Sequence, residues 1–323
     1  MKKRISIKQF ILFGMIILSL IMAVPIMKDF SQNIIVYAEN DYPDAIDKAY
    51  ERIPYDNFKA LVVDDTAKDC KEILDGTVFT EYGLENTMIS IYNAIKTIGI
   101  GLLVALFLME LLDKITKGHM DAEQLIRMLI KYVVAKMLIA DNGINILKAI
   151  LAIGNGIAAT LSSGGTIAGA DKFLSDLATY LQDAEVIEDC IITVVSVIPF
   201  FVKSIIGVVI QATCYARLID IVIRGGFAPI GCAGIVQEGF SGHGIRYIKK
   251  FFASCIQGGI IMAMLYVMST VSTGIANSII DSGGFSSVGV LLTVMVKLLV
   301  IGFTQIMVVL KSGQLANDIA NAT

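Results

Sequence analysis

Residues 216–250 read ARLIDIVIRGGFAPIGCAGIVQEGFSGHGIRYIKK, and this stretch determines how the chain is organised. It contains seven glycines and five Arg and Lys residues, and it lies between two long apolar blocks. Those blocks are long enough to cross a bilayer. We therefore interpret the stretch between them, called here the glycine-rich elbow, as irregular backbone that protein or water encloses on the cytoplasmic side.

The composition is that of a membrane protein. Of 323 residues, 55% are hydrophobic and 17% are charged, and the mean hydropathy is +0.73. A typical soluble domain carries about 25% charged residues. The deficit is local, because whole windows of about twenty residues carry no more than one charge. The sequence predicts an all-α integral membrane protein.

The N-terminal segment predicts that the residues after it are exported. Four basic residues precede an apolar run of 18 residues at 10–27, and Val36 and Ala38 are small residues at cleavage-site spacing. Residues 1–38 therefore read as a signal peptide cleaved after Ala38, or as an uncleaved first span. Either alternative places the next segment outside.

Residues 39–86 form an acidic extracytoplasmic segment with thirteen acidic and five basic residues. A segment of this length is too short for a robust core of its own. We expect it to pack on the membrane part or on a partner. The rest of the chain, residues 87–323, is predicted to be a polytopic helical membrane domain.

Apolar stretches in this domain are long enough for about five membrane-spanning helices. They lie at residues 87–112, 145–163, about 190–214, 251–280 and about 286–310.

Between the first two spans the pattern changes. Glu123, Arg127 and Lys131 recur every four residues beside apolar positions, which predicts a helix along the inner membrane surface. A single helix over 121–162 would measure about 60 Å, twice the bilayer core. Asp141-Asn142-Gly143 is therefore predicted to end the surface helix before the second span begins.

Charge distribution predicts the orientation. Residues 215–250 hold five basic and two acidic residues, whereas residues 162–189 hold six acidic residues and one basic residue. Cytoplasmic loops of membrane proteins carry the excess of Lys and Arg. We therefore predict a multi-pass protein of the cytoplasmic membrane, with the mature N-terminus outside and the elbow and C-terminus in the cytoplasm.

The elbow supplies the first set of candidate functional residues. Arg217, Asp220 and Arg224 are spaced to share one helix face as an ion-pair network. One interpretation is an electropositive cytoplasmic mouth that contacts a polyanion or an ATPase; the other is an interfacial cluster that only fixes topology. The candidate residues are Arg217, Asp220, Arg224, Gly225, Gly226, Pro229, Arg246, Lys249 and Lys250.

Polar residues within the spans are a second set. A lysine at the bilayer centre costs about 2.5–3.5 kcal/mol on insertion scales, so such residues usually face a bundle interior or water. The alternatives are a polar path, a contact between subunits, or side chains that reach back to the interface. The residues are Lys96, Lys203, Gln257, Lys297 and Gln305.

Glycines at several span positions predict close packing of helices, within one chain or between copies. They are Gly99, Gly101, Gly154, Gly156, Gly231, Gly234, Gly258 and Gly259.

Cysteine and histidine usage gives no catalytic or metal motif. The five cysteines form no CxxC, and the two histidines form no HExxH. GxSxG and GxxxxGK[ST] are also missing, so we predict no enzyme and no cofactor. Cys70 and Cys190 both lie on the predicted outer side, where they either form a disulfide or remain free thiols.

Three segments carry a resemblance to a known family: LIRMLIKYVVAKMLIADNG at 125–143, YARLIDIVIRGGFAPIGCAG at 215–234 and GIRYIKKFFASCIQGGIIMAM at 244–264. Their order resembles the TrbL-type polytopic membrane component of type IV secretion and conjugative transfer machines, over about 87–311. The resemblance implies an outside N-terminus, about five or more spans, and a place in an inner-membrane channel complex that handles DNA or protein. The larger extracytoplasmic loop of some relatives is missing here, so no substrate-contacting loop is carried over.

The first functional hypothesis is a non-enzymatic channel or scaffold subunit of a conjugation machine. Its expected partners are the bilayer, other membrane subunits, a cytoplasmic ATPase, translocating DNA and further copies of itself. The alternative is a small-solute transporter, which predicts inverted repeats and broken helices at mid-membrane. A membrane protease would need a catalytic pair that the sequence does not show.

The predicted orientation can be tested at Ser241 in the elbow. We expect a Ser241→Cys variant to react with a membrane-impermeant maleimide in inverted vesicles and not in intact cells, because positive-inside topology retains this region in the cytoplasm. Labelling from the outside of intact cells would contradict the orientation.

Overall fold

The computed structural model describes residues 49–62, 66–117, 121–164, 170–183, 186–238, 242–281, 285 and 288–322. These residues are almost entirely helical, and none of them lies in a strand. The predicted all-α membrane fold is confirmed. The predicted signal segment, residues 1–38, lies outside the described residues.

The helices are named here in chain order. They are α1 (Ala49–Val62), α2 (Thr66–Leu74), α3 (Thr77–Glu81), α4 (Leu84–Thr116), α5 (Ala122–Lys136), a π-helix (Met137–Asp141), α6 (Gly143–Gly164), α7 (Asp171–Asp183), α8 (Val186–Gly226), α9 (Ala228–Ala233), α10 (Ile235–Glu238), α11 (His243–Asp281) and α12 (Val288–Ile319).

Five of the described helices are long and apolar enough to cross a membrane, which confirms the predicted number of spans. The candidate spans are Leu84–Thr116, Gly143–Ser162, Ile191–Gly226, His243–Ser278 and Gly289–Ile319.

The elbow is more regular than the sequence predicts. The third span was expected to end near residue 214, but α8 continues to Gly226. The reason is that Leu218, Ile221 and Val222 supply buried apolar side chains between the charged positions, so the helix keeps a packed face. The interpretation of the elbow as irregular backbone is therefore wrong for most of its described residues, since 216–226, 228–233, 235–238 and 243–250 are helical.

The break predicted at residues 141–143 is confirmed. The π-helix, a single turn of wider hydrogen bonding, follows α5 and ends at Asp141; Asn142 is a bend, and α6 begins at Gly143. The predicted surface helix corresponds to α5, on which Glu123 and Arg127 are exposed together with Ile126 and Ile130.

The chain divides into two compact units, each built from separate stretches. The first comprises Met1–Asp64, Ala168–Val209 and Val271–Phe303, and the second comprises Asp65–Ile167, Ile210–Thr270 and Thr304–Thr323, each as far as it is described. Residues 49–62 and 66–81 of the acidic segment therefore belong to different units. The predicted boundary at residue 86 stays a prediction.

In the first unit α1 packs on α7 around a buried apolar cluster. Phe58 and Phe173 are fully buried in it, and Leu291 and Met295 of α12 contribute as well. A polar contact also crosses this core: Asn57 Nδ2 donates to Ser196 Oγ of α8 at 2.8 Å. A short amphipathic helix thus gains its core from the helices it covers.

In the second unit α9 and α10 pack on α4 and α5. Leu103 of α4, Ile139 of the π-helix and Val236 of α10 are fully buried in one apolar cluster. Phe107 and Tyr132 stack beside it with ring centroids 4.9 Å apart. Residues 228–238 of the elbow are therefore part of a packed core.

We expect Phe58→Ala to destabilise the first unit by about 3–5 kcal/mol, because it leaves a cavity in a fully buried cluster. The measurement is the thermal unfolding midpoint of detergent-solubilised protein. Phe303→Ala is the matched control, because Phe303 is 54% exposed. Equal midpoints for the two variants would contradict the assigned core.

Candidate functional site

The site is built where the end of α8 meets the first half of α11, both within the second unit. Arg217 of α8 is buried, with 2% of its surface exposed. Its Nε donates to the carbonyl of Ser254 at 3.0 Å, and its Nη2 donates to the carbonyl of Cys255 at 2.8 Å. The guanidinium therefore joins α8 to the main chain of α11.

Glycines make this contact possible. A Cβ at Gly258 would collide with the guanidinium of Arg217, so the absence of a side chain leaves room for it. A Cβ at Gly154 of α6 would collide with the carbonyl of Cys255, the same carbonyl that accepts from Arg217. Here α6 and α11 approach each other at backbone distance, which small residues permit in membranes, and α8 reaches α11 through the Arg217 side chain.

Arg224 forms the ion pair of the site. Its Nε lies 2.7 and 2.6 Å from the two carboxylate oxygens of Asp220. Ser254 Oγ donates to the same carboxylate at 2.7 Å, and Tyr247 donates its hydroxyl to the carbonyl of Arg224. This network ties the last turn of α8 to α11.

The predicted three-residue ion-pair network is thus only partly formed. Arg224 pairs with Asp220, but both hydrogen bonds of Arg217 go to main-chain carbonyls. Arg217 is also enclosed, so it does not face a partner in this structure. Its Nη1 has no hydrogen-bond partner among the described residues.

Gly225, Gly226 and Pro229 connect the site to α4. All three are buried. A Cβ at Gly226 would collide with Ile91, and a Cβ at Gly99 of α4 would collide with Pro229. The sequence therefore requires glycine where the elbow crosses α4.

The basic residues at the start of α11 face outward. Arg246 and Lys250 are exposed, and Lys249 is half-buried. Arg246, Lys250 and Ser254 are spaced four residues apart and so share one face of α11. Ser254 is the residue that bonds Asp220. The exposed cations therefore lie on the same side of α11 as the ion pair.

The predicted intramembrane polar residues are placed differently from one another. Gln257 donates to Ser312 Oγ at 3.0 Å and joins α11 to α12. Gln305 is 1% exposed, whereas Lys297 is exposed. Lys96 and Lys203 are half-buried. Lys203 and Lys297 belong to the first unit and the other three to the second, and a polar path stays a prediction.

Sequence reasoning missed several residues of this region. Ser254 and Tyr247 carry no motif, and only their spacing from the basic residues of α11 could have pointed to them.

Burial raises the pKa of the Cys232 thiol in α9 to about 12. Cys70 is buried in α2, and the side chain of Cys190 lies outside the described residues, so the disulfide stays a prediction.

The chemistry of the arrangement is that of a packed junction with an exposed basic face. Among the described residues, no group of three or more His, Cys, Asp or Glu side chains is placed to hold a metal ion. The site contains two buried hydrogen bonds from Arg217 to main-chain carbonyls and the ion pair of Asp220 with Arg224. Its exposed cations can bind an anionic partner.

We expect Gly258→Ala to destabilise the protein by about 1.5–3 kcal/mol, because the added methyl group displaces Arg217 from at least one charge-assisted hydrogen bond. Gly274→Ala in the same helix is the control, since its Cβ meets nothing within 4 Å. Thermal unfolding in detergent distinguishes them. A Gly258→Ala midpoint equal to that of Gly274→Ala would rule out the anchoring role of Arg217.

Residues 86–229 match a protein family described as TrbL/VirB6 plasmid conjugal transfer like protein. No curated protein and no solved structure matches the chain. The matched range runs from the first turn of α4 to Pro229 of α9 and contains Arg217, Asp220 and Arg224. The resemblance seen in the sequence is confirmed: over this range the chain is similar to the TrbL/VirB6 plasmid conjugal transfer-like family.

Proposed function

We propose that this protein is a non-enzymatic channel or scaffold subunit in the cytoplasmic membrane of a conjugative DNA transfer machine. The match to the TrbL/VirB6 family model supports a membrane component of a conjugal transfer or type IV secretion system that works with other components of that system. The channel or scaffold role, the choice of membrane and the individual partners are the proposal.

One observation carries the proposal: the elbow is held rigidly while its cations stay accessible. Arg217 and the buried glycines fix the backbone of the elbow. Arg224 is 35% exposed, and only its Nε bonds Asp220 among the described residues. Its two terminal nitrogens are therefore available to an anionic group of a partner.

Orientation is the second support. The elbow carries the excess of basic residues, and such loops remain in the cytoplasm. The mature N-terminus is then outside and the C-terminus inside. In this orientation Arg224, Arg246 and Lys250 face the compartment of a cytoplasmic ATPase and of DNA before its transfer.

The apolar surface outside the site suits the bilayer and other membrane subunits. Few residues of α4 are buried within the chain. Its side chains Leu108, Leu112 and Ile115 are at least half exposed. Large exposed apolar surfaces are covered by lipid or by protein. Neighbouring subunits or further copies of this chain could pack there.

Deleting the gene should abolish transfer of the mobile element and leave growth normal, because a dedicated transfer subunit is not needed for viability.

Within the intact protein, Arg246→Gln combined with Lys250→Gln should reduce two quantities about tenfold: the transfer frequency and the amount of ATPase that co-purifies with the protein. Two exposed charge pairs together are worth about 1.4 kcal/mol, which corresponds to that factor.

Lys68→Gln with Lys71→Gln is the matched control, since it removes two exposed basic charges from α2, a helix that contributes no residue to the site. Transfer in this control should equal the wild-type frequency. Equal transfer in both double variants would exclude a contact through the basic face of α11.

A further inference from the structure

The π-helix between α5 and α6 leaves one carbonyl without its regular donor. The amide of Asn142 donates to the carbonyl of Met137 at 3.1 Å, five residues back. In an α-helix this amide would donate to Leu138, four residues back. Single π-turns of this kind occur frequently at functional positions.

Tyr92 of α4 supplies the missing donor. Its hydroxyl lies 3.0 Å from the carbonyl oxygen of Leu138 and 2.8 Å from that of Ile139. Tyr92 is 3% exposed, so water does not compete for these carbonyls. A Cβ at Gly143 would collide with both the Tyr92 hydroxyl and the Leu138 carbonyl. The π register is therefore held by a side chain from another helix.

A second register satisfies the same carbonyl. If the amide of Asn142 donates to Leu138, the segment becomes α-helical and no longer needs the tyrosine. Such a change of one residue rotates the preceding helix by about 100° relative to the following one. A segment with two complete hydrogen-bond arrangements is an element with two discrete states.

The elbow packs on the residues that would rotate. Ala135 and Ile139 are fully buried against α9 and α10, in the cluster that contains Cys232 and Ala233. A rotation of about 100° would move Ala135 and Ile139 away from this contact and open the packing around Cys232, which α4 also covers in part. The hydrogen-bond register of the π-helix therefore determines whether Ala135 and Ile139 pack against α9 and α10.

We propose that residues 137–141 are a two-register hinge, that the Tyr92 hydroxyl is its latch, and that release of the latch uncovers the α9–α10 part of the elbow. This goes beyond the channel or scaffold role, because it gives the membrane region an internal switch. Movement of α5 at the membrane surface is transmitted to the segment that carries the site.

Cys232 is a native reporter for the switch. Burial raises its pKa to about 12, so in the latched state it is a protonated and poorly reactive thiol at neutral pH. The full-length protein in its native membrane is treated with N-ethylmaleimide, and modification of each cysteine is quantified by peptide mass spectrometry. Tyr92→Phe should speed modification of Cys232 about fivefold, the effect of one lost buried hydrogen bond on an opening equilibrium.

Gly143→Ala is a second, independent variant, because its methyl group pushes against the tyrosine hydroxyl. It should reproduce the increase at Cys232. Tyr266→Phe is the matched control: its hydroxyl bonds the carbonyl of Ser162 at 2.9 Å, away from the hinge, and it should leave Cys232 unchanged.

Cys214 and Cys255, buried in α8 and α11, report general loosening. A selective increase at Cys232 supports the hinge. An unchanged rate at Cys232 in both hinge variants, or a parallel increase at all three cysteines, overturns it. The readout does not depend on transfer, so it can fail while the proposed function stands.

Discussion

A positive charge enclosed among apolar helices must be met by hydrogen-bond acceptors, and Arg217 imposes this requirement on the second unit. Its guanidinium reaches the carbonyls of Ser254 and Cys255, so α8 and α11 can pack only in the register that places these groups together. Leaving a buried charged group without its partners costs several kcal/mol. The junction therefore specifies one arrangement of the two helices.

The same constraint explains where glycine is needed. Gly258 leaves space for the guanidinium, and Gly154 allows α6 to approach the Cys255 carbonyl. Association of helices in lipid lacks a hydrophobic driving force, so close backbone packing and hydrogen bonds must supply it. Around Arg217 both are present, and the ion pair of Asp220 with Arg224 adds a less buried polar contact.

Several features could be predicted from particular residues. The apolar windows gave the correct number of spans, since length and hydropathy are properties of the chain itself. The spacing of Asp220 and Arg224 correctly predicted their pairing within α8. The partners of Arg217 could not be predicted, because they are main-chain carbonyls. Every residue has one, so the sequence does not indicate which carbonyl the guanidinium meets. Tyr92 was missed for the same reason, and the break expected at Asp141-Asn142-Gly143 was the sole indication of the π-helix.

The sequence by itself determined that the protein is helical and membrane-spanning, and the order of its segments gave the resemblance to the TrbL family. These properties depend on composition and local periodicity, which are read along one chain. Only the tertiary structure decided that Arg217 is an anchor, that Gly258 gives it room, and that Tyr92 completes the π-helix. Each of these contacts joins residues at least 37 positions apart, and which distant groups meet depends on how the helices pack.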